Sequence, residues 1–162
     1  MEHIHQAFSY WLYEDASGLG EADAALLEDA RKATDLAYAP YSSFRVGAAL
    51  RLVTGAVITG ANQENASFPA GLCAERVALA TAASRFPGTA PETLAVSFDY
   101  QGGASDHPIS PCGICRQSLA EWEQRFRCRI RIVLGGQHGK VFVIESASAL
   151  LPLSFSRDDL AM

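Results

Sequence analysis

Three of the four cysteines in this chain fall in two short clusters, Cys73-Ala74-Glu75 and Pro111-Cys112-Gly113-Ile114-Cys115. Each cluster opens a segment that reads as a helix, 73–86 and 112–127. A catalytic zinc keeps three protein ligands and leaves its fourth tetrahedral position to water. Three cysteines on two segments meet that count. A helix start exposes N–H groups and partial positive charge, which favour thiolate over thiol. A fold that serves this pattern brings two helix starts to one point and makes them the floor of a pocket.

Spacing adds a constraint. Cys73 and Glu75 are two residues apart, roughly 200° around an ideal helix. They do not share a lateral face, so both reach one ion only if it sits off the helix end. Cys112 and Cys115, three apart, share a face or clamp a metal from a turn. A carboxylate beside the metal can take a proton from water, give it to a ring nitrogen and later protonate a leaving amine. Glu75 is the candidate. Three thiolates on one dication leave a net −1 centre, and Arg76 and Arg116 are the cations that directly follow the ligand segments. Two competing readings exist. Cys-x-x-Cys alone also suits a redox pair, although no Trp precedes it here, and Cys128 is available to close a four-cysteine structural site. Cys128 lies a full helix beyond Cys115 and reads more simply as a small buried apolar residue.

The rest of the chain reads as an α/β domain. Residues 21–38 carry a helical stripe of Ala and Leu, with acidic residues early, and Pro40 ends it. Residues 44–53 and 56–61 form a hairpin about Thr54-Gly55. Strands follow over 93–100, 129–134 and 141–145, with a short turn of helix over 146–151. Helices alternating with strands after a hairpin predict a mixed sheet of about five strands with helices on its faces. Residues 1–20 read as an extension, aromatic-rich over 8–13 and suited to an edge strand or clip. Residues 21–162 read as one catalytic domain. His3 and His5 near the start are taken as incidental. Arg125, Arg127, Arg129 and Arg131 alternate into a strand and read as a solvated edge.

Charge narrows the function. Lys and Arg number 13 against 18 Asp and Glu, a net charge of −5, with a pI near 5.3. Proteins that grip nucleic-acid polymers show a basic face, so no polymer partner is expected. No basic n-region precedes an apolar run at the start, and no stretch approaches the ~18 apolar residues of a membrane span. The expectation is a soluble, cytoplasmic protein with no membrane partner, in which cysteines serve metal binding before disulfides.

Zinc nucleobase deaminases carry His-x-Glu followed by Pro-Cys-x-x-Cys, with a three-cysteine variant, which this chain resembles. It is further similar to the homotetrameric cytidine deaminase family over roughly residues 24–160. The motifs that carry the resemblance are Tyr38-Ala39-Pro40-Tyr41-Ser42-Ser43-Phe44-Arg45-Val46-Gly47, Thr59-Gly60-Ala61-Asn62-Gln63-Glu64-Asn65, Cys73-Ala74-Glu75-Arg76, Pro111-Cys112-Gly113-Ile114-Cys115-Arg116-Gln117, and Leu151-Pro152-Leu153-Ser154-Phe155. The resemblance implies a three-layer α/β/α sandwich and one Zn²⁺ per chain on Cys73, Cys112 and Cys115. Glu75 would be the catalytic proton shuttle and Arg76 would offset thiolate charge. Asn62 and Glu64 would bind the ribose, Phe44 would pack on the pyrimidine, and the Ala74 N–H would face the base. Phe155 would reach a neighbouring subunit's site in a homotetramer. The implied reaction is hydrolytic deamination of cytidine or deoxycytidine to the uracil nucleoside and ammonia, as in pyrimidine salvage.

Gln63, Ala61 and the Phe68-Pro69-Ala70-Gly71-Leu72 stretch depart from the commonest family forms, all at the expected pocket rim. Three readings therefore stand beside the first. One is a deaminase of another aminated heterocycle, such as blasticidin S or a modified nucleoside. The second is a polynucleotide editor, against which the acidic pI counts. The third is a non-catalytic zinc module, which leaves Glu75 unexplained.

Overall fold

A computed structural model describes residues 1–160 of the chain. Its elements are strand β1 (Trp11–Tyr13), helix α1 (Glu21–Ala33), strands β2 (Phe44–Leu52) and β3 (Val57–Ala61), helix α2 (Ala74–Arg85), strand β4 (Pro91–Tyr100), helix α3 (Gly113–Phe126), and strands β5 (Arg131–Gly135) and β6 (Val141–Ile144). The strands form one sheet in the order β1-β6-β5-β4-β2-β3. All neighbours run antiparallel except β4 and β5. A parallel pair needs a long crossover, and α3 supplies it.

Two faces of helix bury this sheet. α1 places Leu26, Leu27 and Ala30 on one face, against Ala49, Ala95 and Val133. Its first turn carries Glu21 and Asp23 and its last turn Arg31 and Lys32, which suits the helix dipole. The opposite face is covered by Ala78 and Leu79 of α2 and Leu119 of α3, packed on Leu50, Leu94 and Ile132. Successive strand residues point to opposite faces, so Leu94 and Val96 belong to one core and Ala95 to the other. The result is the expected three-layer α/β/α sandwich. The sheet has six strands, where the sequence predicts about five. The sixth is β1, three residues from the 1–20 extension that pair with β6 at Trp11↔Val143 and Tyr13↔Val141. Three residues are too few for alternation to signal a strand.

Close approaches fix where the site forms. In β3, a Cβ at Gly60 would lie 2.5 Å from the Ala74 carbonyl oxygen and 2.6 Å from the Ala78 nitrogen. Only glycine lets the first turn of α2 sit this close to the sheet. The loop before α3 is held the same way: a Cβ at Gly136 would lie 2.1 Å from the Ser105 oxygen, while the Gln137 N–H donates to that oxygen at 2.7 Å. At the far end of α3 the buried Glu123 carboxylate accepts from the N–H groups of Ile130, Ala147 and Ser148 at 2.7–3.0 Å. Ser146 and Ser148 hydroxyls add to it, so the chain after β6 is fastened to α3. The basic run differs from a plain solvated edge, because Arg131 is engaged by Asp23 and Glu145.

Candidate active site

Cys73 and Cys112 are the residues immediately before α2 and α3, both in extended backbone, and neither helix has a side-chain cap. The first-turn N–H groups of both helices are therefore open beside the two sulfurs. Cys115 lies one turn into α3 on its buried side. The three sulfurs lie within 4.8 Å of one another. Cys112 Sγ is 3.6 Å from Cys73 Sγ and 3.5 Å from Cys115 Sγ. A tetrahedron with Zn–S near 2.3 Å has edges of about 3.8 Å, so the spacing fits one zinc ion. Among the described residues, Cys73, Cys112 and Cys115 form the one cluster of metal-ligating side chains. Cys128 is not in it. It sits half-buried against the core, its sulfur toward the Pro91 carbonyl at 3.6 Å.

Cys73 and Cys115 shift in opposite directions. The neighbouring Cys115 thiol draws the Cys73 thiol down to about 6, against burial and the nearby Glu75 carboxylate. Cys115 is pushed up, by that same interaction and by burial. A bound dication deprotonates a coordinating thiol outright.

A cleft of about 470 Å³ opens over the sulfurs. Its walls bring together Cys73, Ala74, Glu75 and Arg76 from the start of α2, Cys112 from the start of α3, and Phe44, Asn62 and Glu64 from the β2–β3 side. Glu75 is only 4% exposed, and burial raises its carboxyl above the ordinary value. Ala74 is fully buried at the first helical position. The Arg76 charge favours the Cys73 thiolate. Arg116 does not join it: its guanidinium donates to the backbone carbonyls of Pro111 and Leu150.

The sugar-side residues are engaged within the chain. Asn62 Oδ1 accepts from the Val46 N–H at 2.8 Å, and its Nδ2 donates to the Phe44 carbonyl at 2.9 Å. The Glu64 carboxylate accepts from the Tyr41 N–H at 2.9 Å and from the Ser42 hydroxyl. Those bonds, the hydroxyl first, hold its pKa below the ordinary value. Phe44 stacks on Phe98, centroids 5.0 Å apart and planes 16° apart. Phe155 is placed elsewhere: it is 60% exposed and lines a separate hollow with Gln117 and Leu160.

Two contributors lie outside the residues singled out from sequence. Ser42 fixes the Glu64 carboxylate; it stands inside a quoted motif, but only the fold shows what it holds. Phe98 backs Phe44 because β2 and β4 pair with Val46 opposite Phe98 and Phe44 opposite Tyr100. That cross-strand neighbour is set by register, for which the sequence carries no local signal.

Comparison with known proteins agrees with this geometry. Residues 20–128 match the family described as the cytidine and deoxycytidylate deaminase zinc-binding region. A cytidine deaminase of Halalkalibacterium halodurans is 40% identical over 135 residues, covering 83% of this chain and 95% of the relative. A blasticidin-S deaminase of Bacillus cereus is more distant, 28% identical over 142 residues, 86% of this chain and 96% of its own. The crystal structure of a cytidine deaminase from Burkholderia pseudomallei superposes with a TM-score of 0.70 at 42% identity, covering 81% of this chain and 97% of that one.

Proposed function

This chain belongs to the cytidine and deoxycytidylate deaminase family, and on that premise we propose that it is a zinc-dependent hydrolase of cytidine and deoxycytidine. The products are the corresponding uracil nucleoside and ammonia. The observation that carries this reading is the three-sulfur cluster with the buried Glu75 carboxyl in the wall of the same cleft.

Cys73, Cys112 and Cys115 hold the ion, one per chain, and Arg76 offsets their surplus negative charge. Zinc in such a site supplies a Lewis acid that makes water acidic enough to attack at neutral pH. Glu75 manages the protons. Burial raises its affinity for a proton, so it can accept one from the attacking water and pass it to the pyrimidine ring nitrogen, then take the remaining proton of that oxygen and deliver it to the departing amine. The Ala74 N–H, at an uncapped helix start, is free to orient the base. Phe44, backed by Phe98, presents a flat face to the pyrimidine. Asn62 and Glu64 take the sugar hydroxyls.

Charge in the cleft favours a nucleoside over its 5′-phosphate. Among the described lining residues the one cation is Arg76, beside the thiolates, against the carboxyl groups of Glu64 and Glu75. A phosphate would lack a charged partner and meet a carboxylate at the rim.

We place the enzyme in cytoplasmic pyrimidine salvage, as a homotetramer in which Phe155 completes a neighbour's site. Residues 1–20 are an extension of the 21–162 catalytic domain. Phe155 stands outside its own cleft, and Ile114 and Leu153 are 62% and 97% exposed, which supports association of copies. No helix among the described residues is long and apolar enough to cross a membrane.

The test is absorbance-followed deamination by purified, zinc-quantified protein, with a light-scattering mass alongside. Turnover of cytidine with about one zinc per chain is expected. Zinc without turnover of either nucleoside would redirect the site to another aminated heterocycle. The 28% likeness to a blasticidin-S deaminase makes blasticidin S the first to try.

A further inference from the structure

The three sulfurs are not held equally. Cys115 is locked in the buried face of α3, and Cys73 is the last residue before α2, whose start is packed against β3. Cys112 is exposed, at the end of the long loop that leaves β4. Something must hold that loop end if its sulfur is to stay near 3.5 Å from its neighbours.

Arg116 does so from behind. Its Nε donates to the Pro111 carbonyl at 2.8 Å, the peptide that leads directly into Cys112. Its Nη1 donates at 3.0 Å to the carbonyl of Leu150, which is buried in the core and begins the C-terminal segment. One rigid, planar group thus joins a carbonyl next to a metal ligand to a carbonyl 34 residues beyond Arg116 itself. The next residue makes a second anchor: Gln117 Nε2 donates to the Phe155 carbonyl at 2.9 Å. Between the anchors lies Leu153, with φ at +54°. That backbone region is unfavourable for a bulky L-residue and persists only where the surroundings enforce it.

We propose that Arg116 is a positioning residue for the metal centre, tying the C-terminal segment to Cys112 through the carbonyls of Leu150 and Pro111. Gln117 fastens only the outer part of that segment. Partners that orient metal ligands commonly change metal affinity or activity ~10–100-fold when removed. Arg116 acts on the peptide before the ligand rather than on its sulfur, so its effect belongs at the lower end. The inference rests on Cys112 being a zinc ligand.

The experiment is transfer of zinc from the intact protein to a colorimetric chelator, with the absorption spectrum of the cobalt-substituted protein recorded in parallel. Arg116→Gln, which cannot span both carbonyls, should release zinc ~10-fold faster and shift the cobalt bands. Arg116→Lys, whose ammonium can hold one carbonyl at a time, should fall between it and wild type. Gln117→Ala should leave both readouts within about twofold of wild type while speeding proteolysis of the segment after Leu150, because its bond lies downstream of the clamp. If Arg116→Gln does not fold, Arg116→Lys against Gln117→Ala decides the matter. Wild-type release rates and cobalt spectra in the Arg116 variants, with a zinc-loaded and active parent, overturn this inference alone. A parent that binds no zinc overturns the metal reading and this inference with it.

Discussion

The floor of the cleft is made of side chains that the chain leaves free, and its rim of side chains that the chain already uses. Cys73 and Cys112 sit before uncapped helices, and their sulfurs bond chiefly to one another. Glu75 beside them is buried with its carboxyl raised. At the rim, both ends of the Asn62 amide are taken by the β2 backbone. Glu64 holds the 41–42 turn that leads into Ser43, at φ +57°, and Phe44. A floor of free ligands is completed by an ion. A rim of bonded groups is shaped before any ligand arrives, so substitutions there act on the fold as well as on binding.

That difference can be broken first at the floor. Cys112→Ala leaves two thiolates and opens the cluster on its exposed side. Zinc content after gel filtration should fall far below one per chain, and turnover with it. Full zinc occupancy would remove Cys112 from the ligand set. Glu75→Gln keeps shape and zinc but removes the proton carrier, so kcat should fall ~10²–10⁴-fold. A zinc-replete Glu75→Gln enzyme with near-parental kcat would refute the shuttle role. Both changes should leave the melting temperature of the metal-free protein close to the parent's, since neither side chain is a structural tie.

The rim should answer in the opposite way. Asn62→Ala strips a donor and an acceptor from β2 and leaves the half-buried Val46 N–H without its partner. The expected cost is about 1–3 kcal/mol of stability, seen as an earlier denaturation midpoint for metal-free protein as well as weaker cytidine binding. An unchanged midpoint would show that Asn62 is as free as the floor residues and dissolve the comparison.

The same contrast explains what could be read from the sequence. The floor was legible because its chemistry is local: Cys-x-Glu and Cys-x-x-Cys are contiguous, and each marks a helix start. The two cores were legible in part, because Leu26, Ala30 and Ala33 fall on the helical stripe and 44–53 reads as one arm of a hairpin, although Leu36 of that stripe lies beyond the end of α1 and is exposed. The rim was named by resemblance alone. That Asn62 bridges Phe44 and Val46, or that Phe98 backs Phe44, depends on how β2 meets β3 and β4. Pairing across strands leaves no trace in either segment. The aromatic stretch over 8–13 offers an edge strand or a clip, and the choice between them, with the bounds 11–13, depends on the edge that β6 presents. Arg116 misled for a related reason. Its place after a ligand suggested a charge-tuning role, whereas its partners are carbonyls that only the fold brings near.

The smallest expected effect concerns Glu64 and pH. Its carboxyl sits below the ordinary value of 4.5, chiefly because it accepts from the Ser42 hydroxyl and then from the Tyr41 N–H. A depressed folded-state pKa means that the ionised form is favoured by folding, so the clamp's stabilisation is fully present above 4.5 and is lost as pH falls through the lower folded value. At neutral pH the clamp on the 41–42 turn is complete. Ser42→Ala removes the largest cause of the depression, so the carboxyl should titrate closer to its ordinary value. The acid limb of kcat/KM for cytidine should then move to higher pH. Because Glu64 is only partly buried, water screens the effect, and the displacement should be modest while kcat at neutral pH stays close to the parent's. Carbon-13 titration of the Glu64 carboxyl in the two proteins measures it directly. Superposable curves would mean that Ser42 does not hold the carboxylate in solution, and that Glu64 is free to meet the sugar without first releasing the turn.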